Sequence, residues 1–298
     1  MTGSAEMNVE EPTAKARRLA AVTEEVLRSF DGTESPRLKA VLSSLVRHLH
    51  AFALDVGLTE QEWTKAIDYL TKTGQMCTDT RQEFILLSDV LGLSMLTVGL
   101  NAPADERATE STVFGPFFVE GSPNIPLDGS ISKDLTGTPC YVRGTVADVD
   151  GEPIPGARIE VWEADDTGFY DVQIEGAELD GRGHLFADDD GAYRFWSVVP
   201  APYPIPYDGP VGELLTATAR SPMRPAHLHF MVTAPGYHPL ITHIFVAGGP
   251  HLDSDAVFGV KRSLIYEFTE RPAGMALAGV PIETPWAEVT FDIRLVRD

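Results

Sequence analysis

The chain has 298 residues, 43% of them hydrophobic and 22% charged, a globular composition with enough apolar material for one large domain or two ordinary ones. Its formal net charge of −21 repels phosphate backbones and anionic lipid, which argues against a nucleic acid or a membrane surface as partner. Two cysteines, Cys77 and Cys140, are too few for a disulfide framework or a Cys-based zinc site.

The opening MTGSAEMNVEEPTAKARR has no apolar stretch before a cleavage site, so a cytoplasmic protein is expected. Helical periodicity follows. Leu19, Val22, Val26, Leu27 and Phe30 form one stripe, and Leu38, Val41, Leu42, Leu45, Leu49 and Phe52 form the next. A His-x-His pair, His48 and His50, lies inside that second stripe and is expected at the surface or edge of a helix. Thr59 with Glu62 and Thr80 with Glu83 match the capping-box spacing and predict two further helix starts. The window FILLSDVLGLSMLTVGL, Phe84 to Leu100, approaches membrane-span length but carries Asp89, two serines and two glycines, which predicts a buried helix instead.

Beyond ESTVFGPFF the period changes from helix to strand. YVRGTVADV alternates towards Asp150-Gly151, and ARIEVWEAD follows after a Pro-Gly turn. AYRFWSVV, AHLHFMVTA, LITHIFVAG and AEVTFDIRLV repeat the theme between turns rich in Gly, Pro and Asp. The expected fold class is mainly β with an N-terminal α-helical segment, the β part an antiparallel β-sandwich. The domain boundary is expected near residue 110, giving 1–110 and 111–298.

The stretch RPAHLHF, Arg224 to Phe230, holds a second His-x-His in a strand context. There the side chains at i and i+2 leave from one face, so His227 and His229 could converge while Leu228 and Phe230 face the packed side. There is no HExxH, no cysteine cluster and no carboxylate at a spacing that completes a two-His-one-carboxylate site. Tyrosine stands out instead: Tyr170 in GFYDV, and Tyr203 and Tyr207 in the proline-stiffened VVPAPYPIPYDGP. A phenolate is a hard anionic donor whose pKa falls only beside a strongly charged cation, for which Fe(III) is better suited than Zn(II).

GFYD, PAPYPIPYDGP and RPAHLHF occur in that order, with STVFGPFF and GTVADVDGEPIPGARIEVWEAD upstream, and together they cover most of residues 111 to 245. In these motifs the chain resembles the intradiol ring-cleaving dioxygenases. The resemblance implies one non-haem Fe(III) per subunit, held by Tyr170, Tyr203, His227 and His229, with Tyr207 left as a loop residue. It implies Tyr203 as the ligand that leaves when a diol binds, and Arg224 as the group that stabilises negative charge on the substrate. His243 would sit behind the ligands. The pocket pattern is similar to that of members acting on hydroxyquinol (benzene-1,2,4-triol), in Leu86 and Asp89, in Val113, Phe114, Gly115, Pro116 and Phe117, in Ile205 and Pro206, and in Val257. Asp89 would meet the third hydroxyl. Members acting on catechol or chlorocatechols share the ligand set and differ at these wall positions. The implied partners are an aromatic diol or triol, O2, a second copy joined through the N-terminal helices, and phospholipid held between them. The competing classes are a non-catalytic transthyretin-like binding module and a zinc hydrolase built on His227 and His229.

Overall fold

The computed structural model describes residues 13–78, 81–133, 136–174, 176, 178–274, 276–277 and 280–298. It forms two compact units, one ending at Leu70 and one spanning Thr71–Asp298.

In the first unit, α1 (Ala14–Ser29) starts where the Thr13 hydroxyl accepts from Ala16 N at 3.2 Å, and α2 (Pro36–Asp55) starts where the Ser35 hydroxyl accepts from Leu38 N at 3.2 Å. Pro36 costs α2 nothing because the first helical N–H has no intrahelical partner anyway. His48 and His50 both lie on α2, as expected; His48 bonds back to the Ser44 carbonyl, and His50 lies 2.8 Å from Thr23 of α1. The next helix, α3 (Glu60–Gln75), opens with a reciprocal capping box: Thr59 N donates to Glu62 Oε2 at 2.9 Å and Glu62 N donates to Thr59 Oγ1 at 3.2 Å. The second expected box involves Thr80, which lies outside the described residues.

The second unit begins with a correction. The window expected as one buried helix is two, α4 (Glu83–Val90) and α5 (Leu93–Asn101), bent by 79° at a break where Gly92 takes φ +76°. Glycine enters that left-handed conformation without a Cβ penalty, so the apolar run turns instead of continuing. Only α4 buries its face, through Leu86, Leu87, Asp89 and Val90; Leu93, Leu96 and Leu100 of α5 are exposed. Among the described residues no single helix is long and apolar enough to cross a membrane.

The remaining elements are β1 (Pro139–Asp148), β2 (Arg158–Trp162), β3 (Arg182–Phe186), β4 (Ala192–Val198), β5 (Tyr203–Pro204), α6 (Pro210–Ala217), β6 (Met223–Arg224), β7 (His227–Thr233) and β8 (Leu240–Val246). They continue through β9 (Ile265–Tyr266), β10 (Thr269–Arg271), β11 (Ala276–Leu277), β12 (Val280–Pro281), β13 (Trp286–Thr290) and β14 (Ile293–Leu295). One sheet runs β10-β13-β1-β14 with β4 on the free side of β1; the other runs β3-β2-β7-β8-β9. Between them Val142, Phe195, Val289 and Phe291 meet Ile159, Val161, Leu228, Phe230 and Ile244 in one buried cluster. The Phe230 ring lies 5.0 Å from Phe291 and 6.4 Å from Phe195. Each such side chain contributes about 1.5–3 kcal/mol relative to leaving it in water.

The sheets are mixed, not purely antiparallel: β1 pairs in parallel with both β13 and β14, and β8 with β9. Hairpins announce themselves through local turn residues, whereas the parallel partners of β1 lie more than a hundred residues away, and even β8 and β9 pair across 20 residues with no tight turn to mark it. Along β7 the side chains alternate, with Leu228, Phe230 and Val232 in the core and His227 and His229 on the other face. The core thus anchors the strand that carries the imidazoles, and the register sets His243 of β8 directly opposite His229.

Candidate metal centre

Tyr170 ends a tight turn. Asp165 Oδ1 accepts from the N–H groups of Thr167 and Phe169, both at 2.9 Å, and Gly168 takes φ +88°. A Cβ on Gly168 would stand 2.5 Å from Tyr203 Cβ, so only glycine lets this turn lie against the second tyrosine. Gln173 Oε1 then accepts from Tyr170 N at 2.9 Å, and Asp171 forms a buried ion pair with Arg182. Arg182 also donates to the Phe117 carbonyl at 2.9 Å, and the Phe117 ring stacks on Tyr170 at 4.4 Å. Tyr203 stands opposite Arg224 in the short β5–β6 ladder, which brings the two motifs together.

Four side-chain atoms from these elements close a ring. Tyr170 Oη lies 3.2 Å from Tyr203 Oη and 3.0 Å from His229 Nε2; His227 Nε2 lies 3.2 Å from His229 Nε2 and 3.3 Å from Tyr203 Oη. All four residues are buried. Nitrogen and oxygen ligands at about 2.0–2.2 Å from one cation stand about 3.0–3.4 Å apart, so the ring has the dimensions of a coordination shell. The proton positions agree. His227 Nδ1 faces the Pro225 carbonyl at 2.7 Å and must carry its proton there, leaving a lone pair on Nε2. His229 Nδ1 lies 2.7 Å from His243 Nε2, and His243 Nδ1 lies 3.0 Å from the Thr112 hydroxyl. That chain can hold the His229 proton on Nδ1, freeing its Nε2 for a cation. His227, His229 and His243 form a cluster able to hold a metal ion. Of the three, His243 stands behind the four-atom ring, its Nε2 against His229 Nδ1.

Burial favours the neutral forms of Tyr170 and the three histidines. It pushes the Tyr170 phenol well above its ordinary value, reinforced by the neighbouring Tyr203, and it holds His227, His229 and His243 well below theirs. A buried phenolate therefore requires a cation beside it. Burial also opposes the charge on Arg224, but Asp255 and the two phenols outweigh it, and Arg224 stays cationic. Its Nη1 lies 3.0 Å from His227 Nε2 and 3.5 Å from Tyr203 Oη.

The expected wall residues fall into three groups. Gly115 packs against His229, where an added Cβ would stand 3.1 Å from Cε1; Phe114 packs edge-on against Trp162; Val113 is buried and Pro116 exposed. Ile205 is buried just after Tyr203, with Pro206 half-buried, while Tyr207 is 60% exposed, as a loop residue should be. Leu86 and Asp89 are buried on α4, and Val257 is buried in the loop after β8. Burial raises the Asp89 carboxyl, opposed by Ser94 and by the charge of Arg224, which places Asp89 within electrostatic reach of that guanidinium.

Sequence reasoning missed Trp162, whose ring stacks on His229 at 4.7 Å and 17°, together with Thr112, Arg182 and Asp255. Trp162 lies inside the expected strand ARIEVWEAD, and nothing in its local sequence marks it off from core.

The chain is similar to known proteins. A dioxygenase family model matches residues 113–297 and a model described as catechol dioxygenase N terminus matches residues 35–109. The chain is 58% identical to a hydroxyquinol 1,2-dioxygenase of Nocardioides simplex, over 92% of this chain and 94% of the relative. It is 56% identical to one of Rhodococcus opacus, over 97% and 96% respectively. The crystal structure of a hydroxyquinol 1,2-dioxygenase from Pseudomonas putida DLL-E4 superposes with a TM-score of 0.89 at 45% identity, covering 95% of this chain and 99% of that one. With both halves of the chain matched and a ring of two phenols and two imidazoles at its centre, the protein belongs to the intradiol ring-cleaving dioxygenases.

Proposed function

We propose that this protein is a hydroxyquinol 1,2-dioxygenase with one non-haem Fe(III) per subunit, held by Tyr170, Tyr203, His227 and His229. It cleaves benzene-1,2,4-triol with O2 between the two adjacent hydroxyl-bearing carbons. Both oxygen atoms are retained, giving 3-hydroxy-cis,cis-muconate, the enol form of maleylacetate, as a step in aerobic degradation of aromatic compounds. The observation that carries the reading is the buried ring of two phenols and two imidazoles, since only a hard, highly charged cation offsets the cost of two phenolates there. The relatives at 56–58% identity support the triol as substrate.

The bound ferric ion would supply Lewis acidity that ionises the diol near neutral pH and brings it together with O2. The protein's own groups do the rest. Tyr203 Oη would take the proton of one diol hydroxyl, and Arg224 Nη1 beside it would steady negative charge on the substrate. Phe117 covers the Tyr170 ring, and Gly115 leaves the space beside His229 that a side chain would fill. Leu86, Val113, Phe114, Pro116, Ile205, Pro206 and Val257 complete an apolar wall that admits a flat ring. Asp89, buried on α4, takes the third hydroxyl.

The matched family regions meet between residues 109 and 113, which supports reading 1–110 as a helical dimerisation part and 111–298 as the catalytic part. Exposed Leu38, Val41, Leu45, Leu49 and Phe52 on α2 support a homodimer with phospholipid between the helices.

The first test is a visible spectrum of iron-replete protein, alone and after anaerobic addition of hydroxyquinol and then catechol, with native mass measured on the same sample. A tyrosinate-to-Fe(III) band that moves to longer wavelength at lower hydroxyquinol than catechol is expected, and a dimer mass with it. Iron-replete protein without colour would sink the ligand assignment; a monomer mass would sink the dimer alone. Asp89→Ala is expected to lower kcat/KM for hydroxyquinol about 10- to 100-fold, the loss of one hydrogen bond to a charged group, while catechol turnover stays within about threefold. Equal losses on both substrates would reduce Asp89 to a structural residue.

A further inference from the structure

Asp255 is the buried carboxylate beside Arg224, bonded to that guanidinium and to the backbone of its own loop. Its Oδ1 accepts from Arg224 Nε at 3.2 Å and from Val257 N at 3.3 Å; its Oδ2 accepts from Gly259 N at 2.9 Å. Both side chains of the ion pair are almost wholly buried, 4% and 2% exposed. The loop that bears Asp255 is pinned from behind: Ala256 N donates to the Met223 carbonyl at 3.1 Å, and Arg220 bridges the carbonyls of Ala256 and Val90 at 3.0 and 2.6 Å. The carboxylate therefore hangs from a fixed backbone.

We infer that Asp255 is a positioning residue for ring cleavage: it holds the guanidinium of Arg224 in one plane by its Nε edge and, through its backbone donors, sets Val257 against the same pocket. The inference rests on the reading of Arg224 as the group that steadies charge on the substrate. A guanidinium presents its five donors in one plane, so gripping the Nε edge fixes where Nη1 and Nη2 point. Nη1 then reaches Tyr203 Oη and His227 Nε2, and Nη2 is a buried donor with no partner among the described residues. One buried carboxylate serves a base of the site and a wall of it together, which a loop cap alone would not require.

The test is a double-mutant cycle on the iron-loaded, full-length protein with Asp255→Asn, Arg224→Gln and the double variant. It is read as kcat and KM for hydroxyquinol, anaerobic hydroxyquinol affinity, and the visible band of the resting enzyme. Asp255→Asn is expected to lower kcat about 10- to 100-fold, with KM within about threefold and iron still bound, the visible band persisting, because Asp255 itself contacts none of the four iron-binding atoms. In the Arg224→Gln background the same change should add less than about a further twofold. Multiplying losses, or wild-type kcat in Asp255→Asn, would overturn the inference. Wild-type turnover in Arg224→Gln alone identifies the Arg224 reading as the failure, and the inference falls with it. Should Asp255→Asn not fold, Asp255→Glu carries the cycle: it keeps the charge and moves it by one methylene, and full activity in it would exclude a positional role.

Discussion

His229→Leu is expected to yield a folded protein that neither holds iron nor cleaves the ring. Leucine approximates the volume of the imidazole, and the strand beneath is anchored by Leu228, Phe230 and Val232 in the core, so β7 should keep its register. What disappears is one corner of the four-atom ring, together with the chain through His243 to Thr112. Losing an outer-shell partner costs about 10- to 100-fold in metal affinity, and loss of a ligand should exceed that. The measurement is iron content after dialysis against a mild chelator, together with the visible band and the melting temperature of the metal-free forms. The other His-x-His is the internal control, since His48→Leu and His50→Leu alter α2 in the first unit and should leave iron content and colour unchanged. A coloured, iron-replete His229→Leu protein would remove His229 from the ligand set.

The contrast between the two His-x-His pairs shows how far local pattern carries. In RHLHAF the 3.6-residue period of the surrounding leucines sends the imidazoles to different places, and in RPAHLHF the two-residue period of a strand sends them to one. That difference is readable from neighbours alone, as is the Thr59–Glu62 cap, because each depends on residues within a turn or two. Choosing Tyr203 over Tyr207 was not readable this way: both are proline-flanked, and only a family resemblance separated the buried one from the exposed one. The bend at Gly92 was missed because a glycine inside an apolar run is tolerated as often as it breaks a helix. Asp255 was missed for a different reason. It meets Arg224 across 31 residues of chain, and nothing in LDSDAVFG announces a pairing that only the fold brings about. The parallel strands beside β1 belong to the same class.

A second large effect is expected from Glu163, which the chemistry does not use. It follows Trp162 at the end of β2, is fully buried, and keeps one oxygen occupied by the Ser197 hydroxyl and by Val198 N at 3.3 Å. The other oxygen, Oε2, has no partner among the described residues. Burial raises this carboxyl from 4.5 to about 8 against the opposing effect of Ser197 and Val198, so the native protein carries the proton that an unfolded chain would release. Between those two values the native state binds more protons than the unfolded one, and stability falls as pH rises, by up to about 1.4 kcal/mol per unit. The contribution is fully present below about pH 4.5 and is lost on approaching pH 8. Glu163→Gln keeps the acceptor towards Ser197 and Val198 and cannot ionise. The variant should match the wild type within about 1 kcal/mol at pH 5 and exceed it by a few kcal/mol at pH 8.5, in denaturant unfolding followed across that range. A difference that stays constant with pH would mean that Glu163 is ionised in the native protein and that some cation or water meets Oε2. The outcome also bears on the metal centre, because the Glu163 charge is one of the influences that raise Tyr170. A neutral Glu163 lets the phenol beside it ionise more readily, so the core proton and the iron-binding phenolate are expected to be electrostatically linked across the end of one strand.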